Sequence, residues 1–175
     1  MLERDPDLLE ALESYAQEPF RGNAYRVVWS DRSPVRGTNG KRGRWNSPDG
    51  DFEILNTSLM AEGANAEFEA FWSLFEQRPD REALSWTLTI RLKRVVRLTF
   101  DDLETLGVRR SDYRSRDYSR TREIADALCY LGCDGLIVPS ARHDCENLVV
   151  FMQNLDAECV VDEEESAEFS WSDGV

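Results

Sequence analysis

The chain has no long apolar segment and too few basic residues to balance its acids. No apolar run approaches the roughly 18 residues that a membrane-spanning helix needs. Its 175 residues include 34 Asp and Glu but only 21 Lys and Arg, a net charge of −13. Because nucleic-acid phosphates are neutralised by Lys and Arg, this deficit argues against direct binding to DNA or RNA. The acidic N-terminus has no apolar core typical of a secretory signal, so we expect a cytoplasmic protein.

Familiar motifs of nucleotide binding and nucleophilic catalysis are missing as well. No G-x-G-x-x-G stretch indicates a dinucleotide site, and no G-x-S-x-G turn surrounds Ser140. The chain has one histidine, His143, so we do not expect a Ser-His-Asp triad. The four cysteines, at positions 129, 133, 145 and 159, do not form a zinc-finger spacing with His143. We expect reduced thiols in apolar packing and no metal site.

The basic residues that are present are nearly all arginine, with lysine only at positions 41 and 93. They concentrate in residues 21–44 and 91–122, whereas the acids concentrate in residues 1–18 and 156–173. Arginine binds phosphate and carboxylate through two parallel hydrogen bonds, which a lysine cannot do. The middle of the chain is therefore a candidate cationic site for a phosphorylated small molecule. For any single arginine, surface pairing is an equally good explanation.

The hydrophobic pattern predicts one α+β domain with a largely antiparallel sheet, since strands and helices do not alternate regularly. Predicted helices cover 6–17, 61–77 and 120–131, the last ended by Gly132, with a helical turn at 101–106. Predicted strands cover Ala24–Ser30, Phe52–Thr57, 84–98 with a bulge near Arg94, Gly135–Pro139 and Leu148–Met152. Long loops are expected at 31–50 and 108–119. We divide the chain into an N-terminal helical segment (1–23), a main domain (24–161) and a frayed acidic tail (162–175).

On the predicted helix 61–77, Glu67 stands apart from the other acids. A helical wheel places Glu62, Glu69 and Glu76 opposite the aromatic stripe, facing water. Glu67 falls on the flank of that stripe, one turn before Phe71. A carboxylate there loses part of its hydration and needs a partner or a catalytic task. An ion pair with an arginine, or a capping role, would explain it equally well.

Three further segments place polar side chains where a ligand could reach them. Arg44 and Trp45 lie in a glycine-containing loop whose amides and guanidinium could approach a pyrophosphate, although a surface turn is the alternative. Arg26 interrupts an apolar strand and either faces solvent or lies in a polar pocket. Ser140 ends a strand that reads as buried, and its setting suits a hydrogen bond to substrate.

Together these segments resemble the RES family, named for an arginine, a glutamate and a serine. The similarity runs from about Ala24 to Leu155. It consists of Tyr-Arg at 25–26, Gly-Arg-Trp-Asn at 43–46, Leu-x-Thr-Ser at 55–58, the stretch 63–67 ending in Glu67, Gly-x-Asp-Gly-Leu-x-Val-Pro-Ser-Ala-Arg at 132–142, and Asn-Leu-Val-x-Phe at 147–151. The chain departs from many relatives in having Asn56 where they have tyrosine and His143 where they often have an aromatic residue.

The resemblance implies a fold like that of ADP-ribosyltransferases and a bacterial toxin that consumes NAD. Members of the family break the nicotinamide N-glycosidic bond, as an NAD phosphorylase with inorganic phosphate as co-substrate or as an NAD glycohydrolase with water. NAD is then a substrate, and no cofactor is permanently bound. The catalytic positions fall on Arg26, Glu67 and Ser140, with Arg44 as a second candidate for the arginine. Residues assigned to substrate binding are Arg44, Trp45, Asn56, Arg142 and Asn147.

The partner that the resemblance implies is an antitoxin with an Xre-like helix-turn-helix domain, which would make any contact with DNA. No membrane contact is expected, and the oligomeric state stays open, with a homodimer as one option. Two rival functions remain at this point. One is a protein ADP-ribosyltransferase, which differs in its acceptor, and the other is a binding module of the same fold without activity.

Overall fold

The computed structural model describes residues 3–40 and 42–172. Its helices are α1 (Pro6–Glu13), α2 (Ala61–Trp72), α3 (Phe100–Thr105) and α4 (Ser119–Tyr130), with short 3-10 turns at Arg110–Asp112 and Met152–Asn154. Its strands are β1 (Glu18–Trp29), β2 (Ile54–Ser58), β3 (Ala83–Arg97), β4 (Gly135–Pro139), β5 (Glu146–Phe151) and β6 (Val160–Glu168). Among these helices, none has the length and apolar character needed to cross a bilayer.

The strands form a mixed sheet that closes on itself as a barrel. Its order is β1-β2-β5-β4-β3, and β3 pairs back with β1, while β6 adds outside this ring along β3. β3 and β4 run parallel, and the other pairings are antiparallel. A single α+β domain is therefore confirmed, but a closed, mixed barrel stands where we expected a largely antiparallel sheet. Alternation of apolar residues reports which face of a strand is buried and does not report the strand's partners.

The long strand β3 has the alternation and the irregularity that its sequence predicts. Leu88, Ile90 and Leu92 are almost fully buried, whereas the residues between them are exposed. Across the pairing with β1, Glu18 lies opposite Val95 and Phe20 opposite Leu92, so β3 carries one extra residue there. This bulge confirms the break expected near Arg94 and lets both Val95 and the next residue be buried.

The buried apolar side chains form three clusters. One contains residues from all five strands of the ring, and the other two lie outside the ring. The first contains Ala24, Leu55, Leu88, Ile137 and Leu148 among others. The largest cluster packs α1 and α4 against the sheet. The third lies between β1 and α2, and it fixes the position of the helix that carries Glu67.

Several helices and strands begin or end at residues other than those predicted. α1 stops at Glu13, and β1 starts at Glu18 rather than Ala24 because it continues its pairing with β3. α2 ends at Trp72, five residues early. The loop at 31–50 and the helix end at Gly132, which has a left-handed φ of 82°, are confirmed.

The expected frayed tail is wrong where the structure describes it. Residues 160–168 form β6, which pairs with β3 from Leu84 to Arg91. Its acids are exposed, and such charges are typical of an edge strand, where they prevent pairing with another molecule. The composition that indicated a tail is therefore that of an edge strand in this fold.

Residues 169–172, which we name the C-terminal strap, then cross α2. Phe169 is 8% exposed, and its ring lies 5.1 Å from that of Phe68. The ring of Trp171 lies 5.4 Å from Phe68, and the amide of Ser172 donates to Glu69 at 2.6 Å. Glu69 was expected to face water, but it is half-buried and accepts this hydrogen bond from the strap. The strap holds α2 against the barrel from the outside.

We expect Phe169→Ala to lower the free energy of unfolding by about 2–4 kcal/mol, because it removes a buried ring and leaves a cavity next to Phe68. Urea titration followed by circular dichroism measures this change. Tyr130→Ala is the control, since Tyr130 is 62% exposed and its ring lies under the guanidinium of Arg4, and it should cost less than about 1 kcal/mol. Equal stability of the two variants would mean that the strap is only loosely attached.

Candidate active site

A cavity of about 490 Å³ opens between α2 and one end of the barrel. β1 contributes residues 25–27 and β2 residues 56–58 to its wall. The opposite wall comes from the loop segment 42–45, from the segment 113–118 before α4, and from residues 141, 142 and 147 around β4 and β5. Segments that are far apart in the chain thus meet in one cleft.

At one side of the cleft, Glu67 accepts two hydrogen bonds on the same oxygen. Ser140 Oγ donates to Glu67 Oε1 at 2.8 Å, and Asn147 Nδ2 donates to it at 3.1 Å. The other oxygen, Oε2, accepts no hydrogen bond from residues 3–40 or 42–172 and is available to a ligand. Asn147 Oδ1 is buried without a partner, so it too could accept a hydrogen bond from a ligand. We call these three residues the Glu67 cluster.

Ser140 is held by the loop that follows β4. The amides of Arg142 and His143 donate to its Oγ at 3.1 and 3.3 Å, and its own amide donates to the carbonyl of Cys145 at 2.8 Å. With both lone pairs engaged by amides, the hydroxyl directs its proton to Glu67. Ser140 therefore orients the carboxylate and is poorly placed to act as a nucleophile.

Gly63 lets α2 approach closely enough to place Glu67 in the cleft. A Cβ atom at this position would lie 2.3 Å from Ser58 Oγ and 2.5 Å from Cys145 Sγ. Ser58 is buried and its hydroxyl accepts a hydrogen bond from the amide of Met60, so a side chain at position 63 would push the first turn of α2 away from β2. Glu67 lies about one turn further along the same helix.

Arg44 lies between two tyrosines that the sequence analysis did not select. Its guanidinium is 4.5 Å from the ring centre of Tyr113 and 4.7 Å from that of Tyr118, which is cation–π geometry. Burial lowers the pKa of Arg44, while the tyrosines and Glu67 act in the opposite direction. Its backbone carbonyl accepts a hydrogen bond from Thr121 Oγ1 at 2.9 Å. The side chain and its segment are thereby held in place by α4 and the turn before it.

The arginines of the cleft lack carboxylate partners. Arg42, Arg44, Arg116 and Arg142 line the cavity, and none of them forms a salt bridge within the described part of the chain. In the described structure only Arg4, Arg81, Arg97 and Arg120 form salt bridges, so the distinctive feature of the cleft is that several arginines meet there. In a chain with 13 surplus acids, four unpaired arginines in one cavity mark a site for a ligand with several negative charges.

Arg26 is placed differently from the other predicted site residues. It contributes to the cavity wall, but its Nη1 donates to the carbonyls of Pro34 at 3.1 Å and Arg36 at 3.0 Å. Burial lowers its pKa to about 10, so it stays protonated at neutral pH. No hydrogen bond joins it to the Glu67 cluster in the described structure. Its guanidinium fastens the loop that leads on to Arg42 and Arg44, and a catalytic role for it stays a prediction.

The remaining predicted binding residues all reach the cavity. Asn56 is exposed on its wall, and Trp45 contributes to it while being almost wholly buried in the largest cluster. Tyr113 and Tyr118 were not predicted, because residues 108–119 read only as a polar loop, and Arg116 was predicted only as part of the basic stretch 91–122. The interleaving of tyrosine and arginine in 113-YRSRDYSR-120 was the available signal.

We expect Tyr113→Phe to lower the free energy of unfolding by about 1–2 kcal/mol. The hydroxyl of Tyr113 donates to the carbonyl of Pro139 at 2.6 Å, and its removal leaves that partly buried carbonyl without this donor. Tyr118→Phe is the matched control, since it also keeps a ring over Arg44 and loses no hydrogen bond found in the described structure. Its effect should stay below about 0.5 kcal/mol in the same urea titration. Equal effects would remove Tyr113 as the link between Arg44 and the Ser140 loop.

Comparison with known proteins adds two findings. The family model of the RES domain matches residues 13–172, which is most of the chain. A chain in the crystal structure of the M. tuberculosis MbcT–MbcA toxin–antitoxin complex has a similar fold, with a TM-score of 0.79 over 95% of this chain and 93% of that chain, at 20% sequence identity. No curated protein sequence matches the chain.

Proposed function

This chain belongs to the RES domain family, and we propose that it is an enzyme that cleaves the N-glycosidic bond between nicotinamide and ribose in NAD. The observation that carries the proposal is the joint presence of the Glu67 cluster and four arginines without carboxylate partners in one cavity. NAD fits both features, since its anionic diphosphate can bind the arginines and its reacting ribose, which becomes cationic, can lie next to Glu67. We further propose that the fold is related to that of ADP-ribosyltransferases.

In the proposed reaction, the bond from the ribose C1′ to the nicotinamide nitrogen breaks first. Its electron pair leaves with nicotinamide, which was a pyridinium and becomes neutral, and the ribose acquires oxocarbenium character. Glu67 stabilises that positive charge from a fixed position, because Ser140 and Asn147 already hold one of its oxygens. A phosphate ion then bonds to the same ribose carbon and gives ADP-ribose 1″-phosphate, or a water molecule bonds there, loses a proton to solvent and gives ADP-ribose.

The arginines would hold the diphosphate of NAD through charge-assisted hydrogen bonds. Arg44 is suited to this because its guanidinium cannot fold away from between Tyr113 and Tyr118 without losing both ring contacts. Arg116 and Arg142 approach the cavity from other segments, and one of them could hold an attacking phosphate ion. A protein ADP-ribosyltransferase would use the same machinery with a side chain as acceptor, and identification of the products separates the two.

We expect Glu67→Gln to fold and to lose about 10²-fold or more of NAD cleavage, measured as nicotinamide release. Glutamine keeps an oxygen that can accept from Ser140 and Asn147, so it preserves the shape of the site and removes its charge. Glu62→Gln is the matched control, since Glu62 lies on the same helix, is exposed and points to no part of the cavity wall. Near-normal turnover of a folded Glu67→Gln protein would contradict the proposed role of the carboxylate.

We also propose that this chain is the toxin of a toxin–antitoxin pair whose antitoxin carries an Xre-like helix-turn-helix domain. The solved M. tuberculosis structure with a similar fold is a toxin–antitoxin complex, and an enzyme that consumes NAD needs restraint in its own cell. The surplus of acids on this chain makes DNA contact by the antitoxin the better expectation.

Expression of this chain alone should therefore deplete cellular NAD and arrest growth, and co-expression of the product of the neighbouring gene should restore both. Glu67→Gln expressed alone should be harmless, because it folds without cleaving NAD. Growth and NAD content are measured in parallel after induction. Normal growth with unchanged NAD on expression of the wild-type chain would overturn the toxin proposal.

A further inference from the structure

Besides its charged half, the cleft has an apolar lip that the proposed chemistry does not use. The last turn of α2 and the residues after it contribute Phe68, Phe71, Leu74 and Phe75 to the cavity wall. Leu74 and Phe75 are 47% and 48% exposed, and they are among the few large apolar side chains that the described structure exposes. We name Phe71, Leu74 and Phe75 the aromatic lip.

The lip is a cluster of aromatic rings in which Phe71 and Phe75 are tilted by 58° to one another. The rings of Phe71 and Phe75 lie 5.9 Å apart, and that of Trp72 lies 5.1 Å from Phe75 and 5.0 Å from Phe71. Trp72 in turn contacts Trp29 of β1 at 5.1 Å, so the lip is braced against the barrel. Exposed aromatic rings that are braced from behind can stack on a ligand ring without being ordered at the moment of binding.

The lip begins about one helical turn after Glu67 and continues beyond the end of α2. Phe71 follows Glu67 by four residues, about 6 Å along the helix axis, and Phe75 lies four residues further on. The arginines of the opposite wall, Arg42, Arg44 and Arg116, face the same cavity. A ligand that satisfies all three features has a reacting group at Glu67, negative charges in the middle and a flat ring at the lip.

We propose that the aromatic lip is the binding site for the purine ring of a nucleotide diphosphate, here the adenine of the NAD that the proposed function requires. The purine stacks on the exposed ring of Phe75 and meets the tilted ring of Phe71 at its edge, while the diphosphate engages the arginines. NAD then lies along α2 with its nicotinamide ribose at the Glu67 cluster. Because the stacking contact is the same before and during bond cleavage, it contributes to affinity and not to the rate of the chemical step.

Calorimetric titration with ADP and with inorganic pyrophosphate tests the lip without any need for turnover. Wild-type protein should bind ADP more tightly than pyrophosphate, and Phe75→Ala should weaken ADP binding about ten-fold or more while leaving pyrophosphate binding unchanged. Phe75→Trp should restore ADP binding, and Phe75→Leu, which keeps apolar area without a ring, should not. Met60→Ala is the control, since Met60 is similarly exposed and lies outside the cavity wall.

ADP affinity that is equal in the wild type and Phe75→Ala, or absent from the wild type, overturns the lip proposal. The proposal is also overturned if Phe75→Ala keeps its ADP affinity but is no longer inhibited by the antitoxin, because the lip would then bind a protein partner.

A kinetic experiment compares the cleavage of NAD with that of nicotinamide mononucleotide, which has no adenine. Phe75→Ala should raise KM for NAD about ten-fold, with kcat and cleavage of the mononucleotide changed less than about two-fold. A wild-type protein that does not cleave NAD, while its ADP binding depends on Phe75, overturns the proposed function and leaves the lip intact.

Discussion

The cleft depends on the closure of the barrel through β3. This strand pairs with β1 along one edge and with β6 and β4 along the other, so it joins the N-terminal, central and C-terminal parts of the chain. Closure brings β1 and β2 side by side beneath α2, and it sets the end of β4, where Ser140 lies, against β5, where Asn147 lies. Without closure of the barrel, Ser140 and Asn147 would not be held at fixed positions relative to Glu67. The strap packs against the outer side of α2, and Gly63 allows the inner side of α2 to lie close to β2.

Electrostatics make the cleft a local exception in an acidic protein. Arginines that repel one another and lack carboxylates are unfavourable unless other contacts hold them. Tyr113 and Tyr118 stabilise Arg44 through their rings without neutralising it, so its charge stays available. The hydroxyl of Tyr113 meanwhile binds the carbonyl just before Ser140. Tyr113 therefore contacts both the arginine-lined wall of the cleft and the segment that carries Ser140 of the Glu67 cluster.

Much of the fold and part of the site could be predicted from the sequence. The alternation in β3, the helix carrying Glu67 and the glycine after α4 follow from local patterns, and resemblance to a family selected Arg26, Glu67 and Ser140, with Arg44 as a second candidate for the arginine. The closed barrel follows from neither, because pairing partners are set by packing between distant segments. β6 was missed because the sequence of an acidic edge strand differs little from that of a tail. The carbonyl partners of Arg26 and the tyrosine rings around Arg44 arise only from the way two loops meet, which spacing along the chain does not encode.

The central claim is that the cleft holds an anionic dinucleotide with the bond to be cleaved next to Glu67. A crystal structure of the protein with ADP-ribose bound tests it most directly. The account predicts the diphosphate within hydrogen-bond distance of at least two of the cleft arginines, at positions 42, 44, 116 and 142, and the hydroxyls of the terminal ribose at Glu67 Oε2 or Asn147 Oδ1. ADP-ribose bound outside this cleft, or bound there with its terminal ribose away from Glu67, would contradict the account.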